Sequence, residues 1–464
     1  MPAGHVRRLA SPGLVRRGGE RVPCGGDRHG AAWSEPRRGL AVRRARALRT
    51  RVEPSGRSRG RALRGPDLTT AVAVAVRSAD SLLLVVPPEP GAGARVPPDT
   101  VVAGLPLLRR IVLAGMRAGF SRVLVQSDPV GIGRLLGGTA ATALSNDDVG
   151  PAPDSRRRIV ILSANVVPQP SWLRALRESE IEAERLYADT SLTAVIDTAD
   201  PAAVLAVAAR CRGAGELVEG LRARFDWTDL KPDDAGRFPL AAPSDRRPAE
   251  AWLLRSLIKQ REGFMSRHFE RKISLALTRR LAVTRVTPNA MTLVSLAIGL
   301  LGAPFFLSSS PAYQLAGALL FLTHSILDGC DGELARLKFM ESPHGAILDF
   351  WGDNLVHVAV FACMAVGLSF VHAMAWPLAL GALTIVATLG AAARASRQIM
   401  RDTPVGGDAS WTARLAEAFA SRDFIYLVVV LSAFGKAHWF LILASVGTPI
   451  FFLLLLWIGA RQRA

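Results

Sequence analysis

The sequence predicts a soluble α/β domain of Rossmann-like pattern followed by an α-helical integral membrane domain with six transmembrane helices. Three observations carry this. Half of the 464 residues are hydrophobic, and after about residue 288 they gather into long apolar runs, most near the roughly 20 residues that a bilayer requires. Between residues 67 and 245, short apolar runs alternate with amphipathic stretches, the pattern of a parallel sheet covered by helices. The net charge of +18 is concentrated at the start, where residues 1–66 hold seventeen arginines, no lysine and four acidic residues.

That head, residues 1–66, is rich in Gly, Pro and Arg without hydrophobic periodicity, and reads as disordered. Its charge suits anionic lipid or nucleic acid; a solvated tail, or a translation start assigned too far upstream, accounts for it equally. No specific nucleic-acid partner is expected. The head lacks the 7–15-residue apolar core of a signal peptide. Cys24, Cys211, Cys330 and Cys363 are scattered and form neither a disulfide framework nor a zinc site.

In the α/β domain, residues 67–245, strands are expected over 81–86, 122–126, 158–162 and 192–196, with helices over 105–119, 171–177 and 202–212. A connector, residues 246–286, contains two helical stretches, 250–259 and 264–281. The second interleaves Phe264, Phe269, Ile273, Leu275, Leu277 and Leu281 with Arg267, Arg271, Lys272, Arg279 and Arg280. Such a helix lies along lipid headgroups, unless it is an ordinary surface helix.

The membrane domain, residues 287–464, opens at Thr287-Pro288-Asn289, with Pro in the first helical turn, where a missing N–H costs nothing. Spans are expected over 288–309, 311–333, 345–370, 373–395, 423–437 and 438–459. The loops that carry Arg336, Lys338, Arg394, Arg397, Arg401, Arg414 and Arg422 fall on one side. The positive-inside rule makes that side cytoplasmic, with both termini, in what is expected to be a bacterial inner (cell) membrane.

Asp328, Asp331, Asp349 and Asp353 stand on this cytoplasmic side within one 26-residue stretch. A carboxylate at membrane depth is expensive and marks a functional site by default. Spacings of three and four put each pair on one helix face. Four carboxylates aimed into one cavity require cations, which points to divalent metal. An acidic helix cap would not need the second pair.

The surrounding residues are Asp328, Asp331, Gly332, Ala335, Arg336, Gly345, Asp349 and Asp353. They fill all eight positions of D-x2-D-G-x2-A-R-x8-G-x3-D-x3-D, so the segment resembles the CDP-alcohol phosphotransferase (CDP-alcohol phosphatidyltransferase) family. The resemblance implies a two-metal site for Mg²⁺ or Mn²⁺ on Asp328, Asp331 and Asp349. Asp353 is implied as general base toward the acceptor, with contact to the second metal. Gly332, Ala335, Arg336 and Gly345, with Asp328 and Asp331, would hold the CDP moiety. Small residues let a nucleotide approach the backbone, and Arg336 offers a bidentate donor to diphosphate. The Thr287-Pro288-Asn289 opening resembles the same family. The stretch from Lys259 to Arg267 resembles the subgroup fused to a cytidylyltransferase, which includes inositol-phosphate transferring enzymes, with Glu262 where Asp is usual. Relatives are often homodimers.

Arg394, Arg397 and Arg401 admit two readings: an acceptor-phosphate site, or residues that set topology against lipid phosphates. His344 reads as a solvated loop residue and Trp351 as packing.

The α/β domain resembles sugar-phosphate nucleotidyltransferases at Val102-Ala-Gly104-Leu-Pro106 and over 118–125. Three expected features are missing. The Gly-rich loop is reduced to Gly91-Ala-Gly93-Ala-Arg95, the following lysine is replaced by Pro97-Pro98-Asp99, and Ser163-Ala164-Asn165 stands where a metal-binding aspartate belongs. An inactive domain is expected, with Asp99 or Asp128 the only evident substitutes.

Together these imply a membrane enzyme that moves a substituted phosphate from a CDP-linked donor to an alcohol or phosphorylated-alcohol acceptor and releases CMP, in phospholipid or inositol-phosphodiester synthesis. A bifunctional cytidylyltransferase/phosphotransferase is the alternative. A cation transporter is disfavoured, because transport sites sit near the midplane on broken helices. A pseudoenzyme anchor is disfavoured by the intact motif.

Overall fold

The computed structural model describes residues 81–88, 96–126, 133, 135–145, 156–231, 234–258, 265–399 and 423–461. The Arg-rich head, the 91–95 loop, Asp128, Glu262, Arg401, Arg414, Arg422 and the side chain of Arg397 lie outside this description.

The α/β domain begins with β1 (Ser81–Val86), all six residues buried. This continuous apolar run suits a strand covered on both faces. A small hairpin follows, β2 (Val101–Val102) and β3 (Leu105–Pro106), then α1 (Leu107–Ala118), β4 (Arg122–Val125) and β5 (Thr142–Ala143). Next come β6 (Arg157–Ser163), β7 (Val166–Pro168), α2 (Pro170–Glu178), β8 (Arg185–Ala188), β9 (Ala194–Thr198), α3 (Pro201–Arg210), α4 (Ala214–Arg222), β10 (Asp226–Asp229) and β11 (Arg237–Pro239). The main sheet has order β10-β8-β9-β6-β1-β4-β5.

The sheet is mixed, which corrects the expectation of a parallel one. β1 runs parallel to β4 and β6, but β9 is antiparallel to both β6 and β8. The cause is the short link from β8 to β9, which permits a hairpin and not the crossover that parallel pairing needs. Buried Asp189 closes that link by accepting from the Ser191 and Thr193 amides, each at 2.9 Å, and it pairs with Arg237. The strand expected over 192–196 therefore starts two residues later.

The helical half contains α5 (Arg246–Ser256), a π-helical turn at Ser266–Glu270 that runs into α6 (Arg271–Ala282), and α7 (Pro288–Gly302), which continues as a 3₁₀ turn to Leu307. It ends with α8 (Pro311–Lys338), α9 (Pro343–His372), α10 (Trp376–Ile399), α11 (Phe424–Ala433) and α12 (Ala437–Arg461). Among the described residues, four helical stretches are long and apolar enough to cross a membrane: Pro288–Leu307, Pro343–His372, Trp376–Ser396 and Ala437–Arg461. The other two expected spans fall on helices of different character. α8 has 28 residues and gathers Asp328, Asp331, Glu333, Arg336 and Lys338 in its last third, while α11 has ten residues.

Close backbone approach joins α7 to α8. A Cβ on Gly302 would stand 3.2 Å from the Gly317 carbonyl, and one on Gly317 would stand 2.9 Å from the Gly302 carbonyl. Small residues permit such contact between membrane helices.

The amphipathic reading of 264–281 is refined. Phe269 and Ile273 are exposed, whereas Glu270, Ser274, Thr278 and Ala282 form the buried face. The stripe is thus divided: Phe269 and Ile273 point outward, while Leu275, Leu277 and Leu281 pack half-buried against the core beside the small and polar residues. One hydrophobic core runs from the sheet into the helices, with Leu107, Ile111, Leu254, Ala282, Met291, Leu334 and Leu337 in a single cluster.

Candidate active site

α8 and α9 bring the aspartates together. α7 begins at an N-cap, Thr287, whose hydroxyl accepts from the Ala290 amide at 3.3 Å, with Pro288 in the first turn. α9 begins likewise: the Ser342 hydroxyl accepts from the Gly345 amide at 3.0 Å, with Pro343 behind it. These caps satisfy helix N–H groups that otherwise lack partners.

Asp328 and Asp331 are buried on α8, and Asp349 is half-buried on α9. Carboxylate oxygens of these three lie within 4.8 Å of one another. Three hard oxygen donors converging from two helices fit a divalent cation, since together in the ionised state they repel strongly without one. The Thr292 hydroxyl of α7 donates to Asp331 Oδ2.

Asp353 stands apart from the trio. Its Oδ1 lies 3.3 Å from His324 Nε2 and 3.9 Å from His357 Nδ1. His324 is almost fully buried, and its Nδ1 lies 3.0 Å from the Ser295 hydroxyl. The same Nδ1 lies 3.0 Å from the Ser295 carbonyl, so this carbonyl and the Asp353 carboxylate, both acceptors, face opposite nitrogens of one ring. The Asp353 carboxylate thus lies against a buried imidazole while remaining about a quarter exposed.

An open cleft of about 190 Å³ adjoins the trio. It is lined by Asp331, Gly332, Ala335, Arg336, Gly345 and Asp349, and by Asn289 and Thr292 from α7. The two motif glycines act differently. A Cβ on Gly332 would meet chiefly the Arg336 guanidinium, at 3.3 Å, so this glycine keeps the cleft open. A Cβ on Gly345 would press on Asn289 Oδ1 at 2.9 Å and Ser342 Oγ at 3.0 Å, so this one lets α9 approach α7.

Arg394 is half-buried on α10, and its guanidinium occupies the space where a Cβ on Gly459 would sit, 2.1 Å from Nη2. His344 is exposed, and Trp351 is 40% exposed with its ring edge-on to Phe350.

Sequence reasoning missed three residues, Thr292, His324 and Glu333, and noted Asn289 only as part of the helix opening. Glu333 is fully buried and accepts from Ser274 Oγ and Thr278 Oγ1, each at 2.7 Å, and from Arg271 Nη1 at 2.5 Å. It pins α6 beside the motif. The available signal was the polar series Arg271, Ser274, Thr278 at helical spacing, opposite a charged residue inside an apolar helix.

Residues 285–459 match the family model described as CDP-alcohol phosphatidyltransferase. A bifunctional IPC transferase and DIPP synthase of Thermococcus kodakarensis is 37% identical over 150 residues, covering 32% of this chain and 30% of the relative. The protein of the same name from Rubrobacter xylanophilus is 36% identical over 175 residues, covering 37% of each. The chain thus spans about a third of the length of the curated relatives it matches. The crystal structure of Mycobacterium tuberculosis phosphatidylinositol phosphate synthase with CDP-DAG bound aligns at 22% identity, over 40% of this chain and 94% of that one, with a TM-score of 0.29.

Proposed function

We propose, from the match of residues 285–459 to the family model described as CDP-alcohol phosphatidyltransferase, that the chain is a member of that family and transfers a substituted phosphate from a CDP-linked alcohol to an acceptor hydroxyl, releasing CMP. The observation that carries this is the convergence of Asp328, Asp331 and Asp349 within 4.8 Å beside the cleft lined by Gly332, Ala335 and Arg336.

In this reading Asp328, Asp331 and Asp349 would hold Mg²⁺ or Mn²⁺, with Asp353 toward the second ion of a two-metal site. Such cations would supply neutralisation of diphosphate oxygens and of the charge that develops on them. Arg336 supplies a fixed cation beside the cleft. The acceptor oxygen attacks the phosphorus that bears the donor alcohol. The P–O bond to CMP breaks, and CMP leaves with the bonding electrons. Asp353 takes the acceptor proton, and His324 stands beside its carboxylate.

In this reading α8 and the segment around α11 complete six spans with the four more apolar helices, and the positive-inside rule favours a site at the cytoplasmic face of a bacterial inner membrane. The acceptor is an alcohol or a phosphorylated alcohol, and Arg394, Arg397 and Arg401 offer cations for a phosphorylated one. A homodimer is the expected assembly. The α/β domain serves the transferase without making its donor. The bifunctional reading has one specific support, the bifunctional names of the curated relatives.

Binding of Mn²⁺, followed by its electron paramagnetic resonance, tests the site. The wild type is expected to bind Mn²⁺ and Asp349→Asn to lose most of that affinity. Unchanged binding in Asp349→Asn would remove the proposed ligand set.

A further inference from the structure

The α/β domain reaches the wall of the cleft. α8 ends at Phe339, which adopts a left-handed conformation with φ 57°. A bulky residue at positive φ is unusual and the conformation is strained. It turns the chain so that the Met340 amide donates to the Ala335 carbonyl at 2.8 Å. Met340, Glu341 and Ser342 then line the cleft before α9 begins. The geometry of one helix cap thus decides where a wall of the cleft stands.

Arg110 of α1 grips this cap. Its side chain is almost completely buried, and its Nη1 donates to the Leu337 carbonyl at 3.0 Å. The Nε and Nη2 groups donate to the Val102 carbonyl at 3.2 and 2.9 Å, and Nη2 also to the Ala103 carbonyl at 3.1 Å. The guanidinium carbon lies 5.8 Å from the centre of the Phe339 ring. Burying this cation is costly. Burial pulls its pKa down to about 10, opposed by the charge of Glu250, so it remains a cation at neutral pH. A positive group at the carbonyl end of a helix also complements the helix dipole.

Two helical turns along α1, Arg117 pairs with Glu341 at 2.7 Å. Residues seven apart share a helix face, so a single face of α1 holds both ends of the segment from Leu337 to Glu341. The hairpin before α1 is fixed in turn: the Ala103 amide donates to Glu250 at 3.2 Å, and a Cβ on Gly104 would stand 1.9 Å from the Ala282 carbonyl of α6.

We propose that Arg110 and Arg117 are positioning residues for the nucleotide cleft, and that this cleft is complete only with the α/β domain docked against it. The inference rests on reading the cleft as the CDP site. It assigns to a domain that lacks the expected nucleotidyltransferase residues a role in the neighbouring chemistry: its Val102–Pro106 hairpin and α1 form a template for the loop between the two motif helices.

The test uses the full-length protein in lipid nanodiscs with CMP as probe. CMP affinity is measured by calorimetry, Mn²⁺ affinity by paramagnetic resonance, and unfolding temperature by scanning. Arg117 is half exposed, so its pair is of the class that contributes up to about 1 kcal/mol. Arg117→Ala is therefore expected to weaken CMP binding by about two- to fivefold, with Mn²⁺ affinity and unfolding temperature unchanged. Arg117→Lys should restore the affinity. Arg110→Lys, which keeps the charge but loses the fork, should weaken CMP about tenfold. Wild-type CMP affinity in a folded Arg117→Ala overturns the proposal, as does a loss that Arg117→Lys fails to restore. A wild type that binds no CMP removes the cleft reading itself, and this inference with it.

Discussion

His324 Nε2 lies 3.3 Å from Asp353 Oδ1, at the one motif aspartate outside the converging trio. This separation divides the motif into two tasks. Three carboxylates face one another, while the fourth faces a buried imidazole and partial solvent. Losing a general base typically costs about 10²–10⁴-fold in rate. Asp353→Asn should therefore lower kcat by that order and leave CMP affinity within a few-fold of wild type. His324→Ala should lower kcat by less, because the carboxylate survives without its imidazole neighbour. Steady-state kinetics with calorimetric CMP binding checks both.

Metal removal should be equally decisive. Turnover is expected to stop in excess chelator and return with Mg²⁺ or Mn²⁺. Asp328→Asn should abolish turnover while the protein still elutes as a folded species by size exclusion in detergent. Appreciable turnover in chelator would contradict the ligand role of the trio.

Glu333 carries a structural prediction. It is fully buried with Arg271, Ser274 and Thr278 as donors. Removing one partner of a buried ion pair costs about 3–5 kcal/mol, so Glu333→Ala should lower the unfolding temperature sharply. Glu333→Gln keeps an acceptor for the hydroxyls and should lower it less. Thermal unfolding of both variants in the same detergent provides the comparison.

The α/β domain is expected to release no pyrophosphate from CTP with any sugar or polyol phosphate. Ser163-Ala164-Asn165 stands at the end of β6, where acidic metal ligands are expected in nucleotidyltransferase-like domains. A coupled pyrophosphate assay on the full-length protein measures this. Release above background would make the chain bifunctional.

The motif was legible because its chemistry fixes residue types at fixed spacing along two helices. The pairs Asp328/Asp331 and Asp349/Asp353 could be placed on helix faces before any fold was known, but the expectation of four carboxylates in one cluster is met by three, with Asp353 turned to His324. β1 was readable to the residue, since its apolar run has no competing period. Contacts made across the fold left no such mark. His324 reads as one more histidine in an apolar run until α7 and α9 place Ser295 and Asp353 on either side of its ring. Thr292 reads as an ordinary helix residue until α8 brings Asp331 to its hydroxyl. The direction of β9 depended on the length of one turn, which propensity does not encode. The stripe on α6 was visible, but which face would be buried depended on Glu333 in a distant segment.

Acceptor-dependent release of CMP tests the central claim most directly. The purified full-length protein, in lipid with Mg²⁺ or Mn²⁺, is offered a panel of CDP-linked alcohols with and without alcohol and phosphorylated-alcohol acceptors. The account predicts, for at least one pair, CMP formed in equal amount to a new phosphodiester. That product should disappear without the acceptor, in chelator and in Asp349→Asn. CMP formed at the same rate in Asp349→Asn, or no phosphodiester from any pair offered to a wild type that binds CMP, would contradict it.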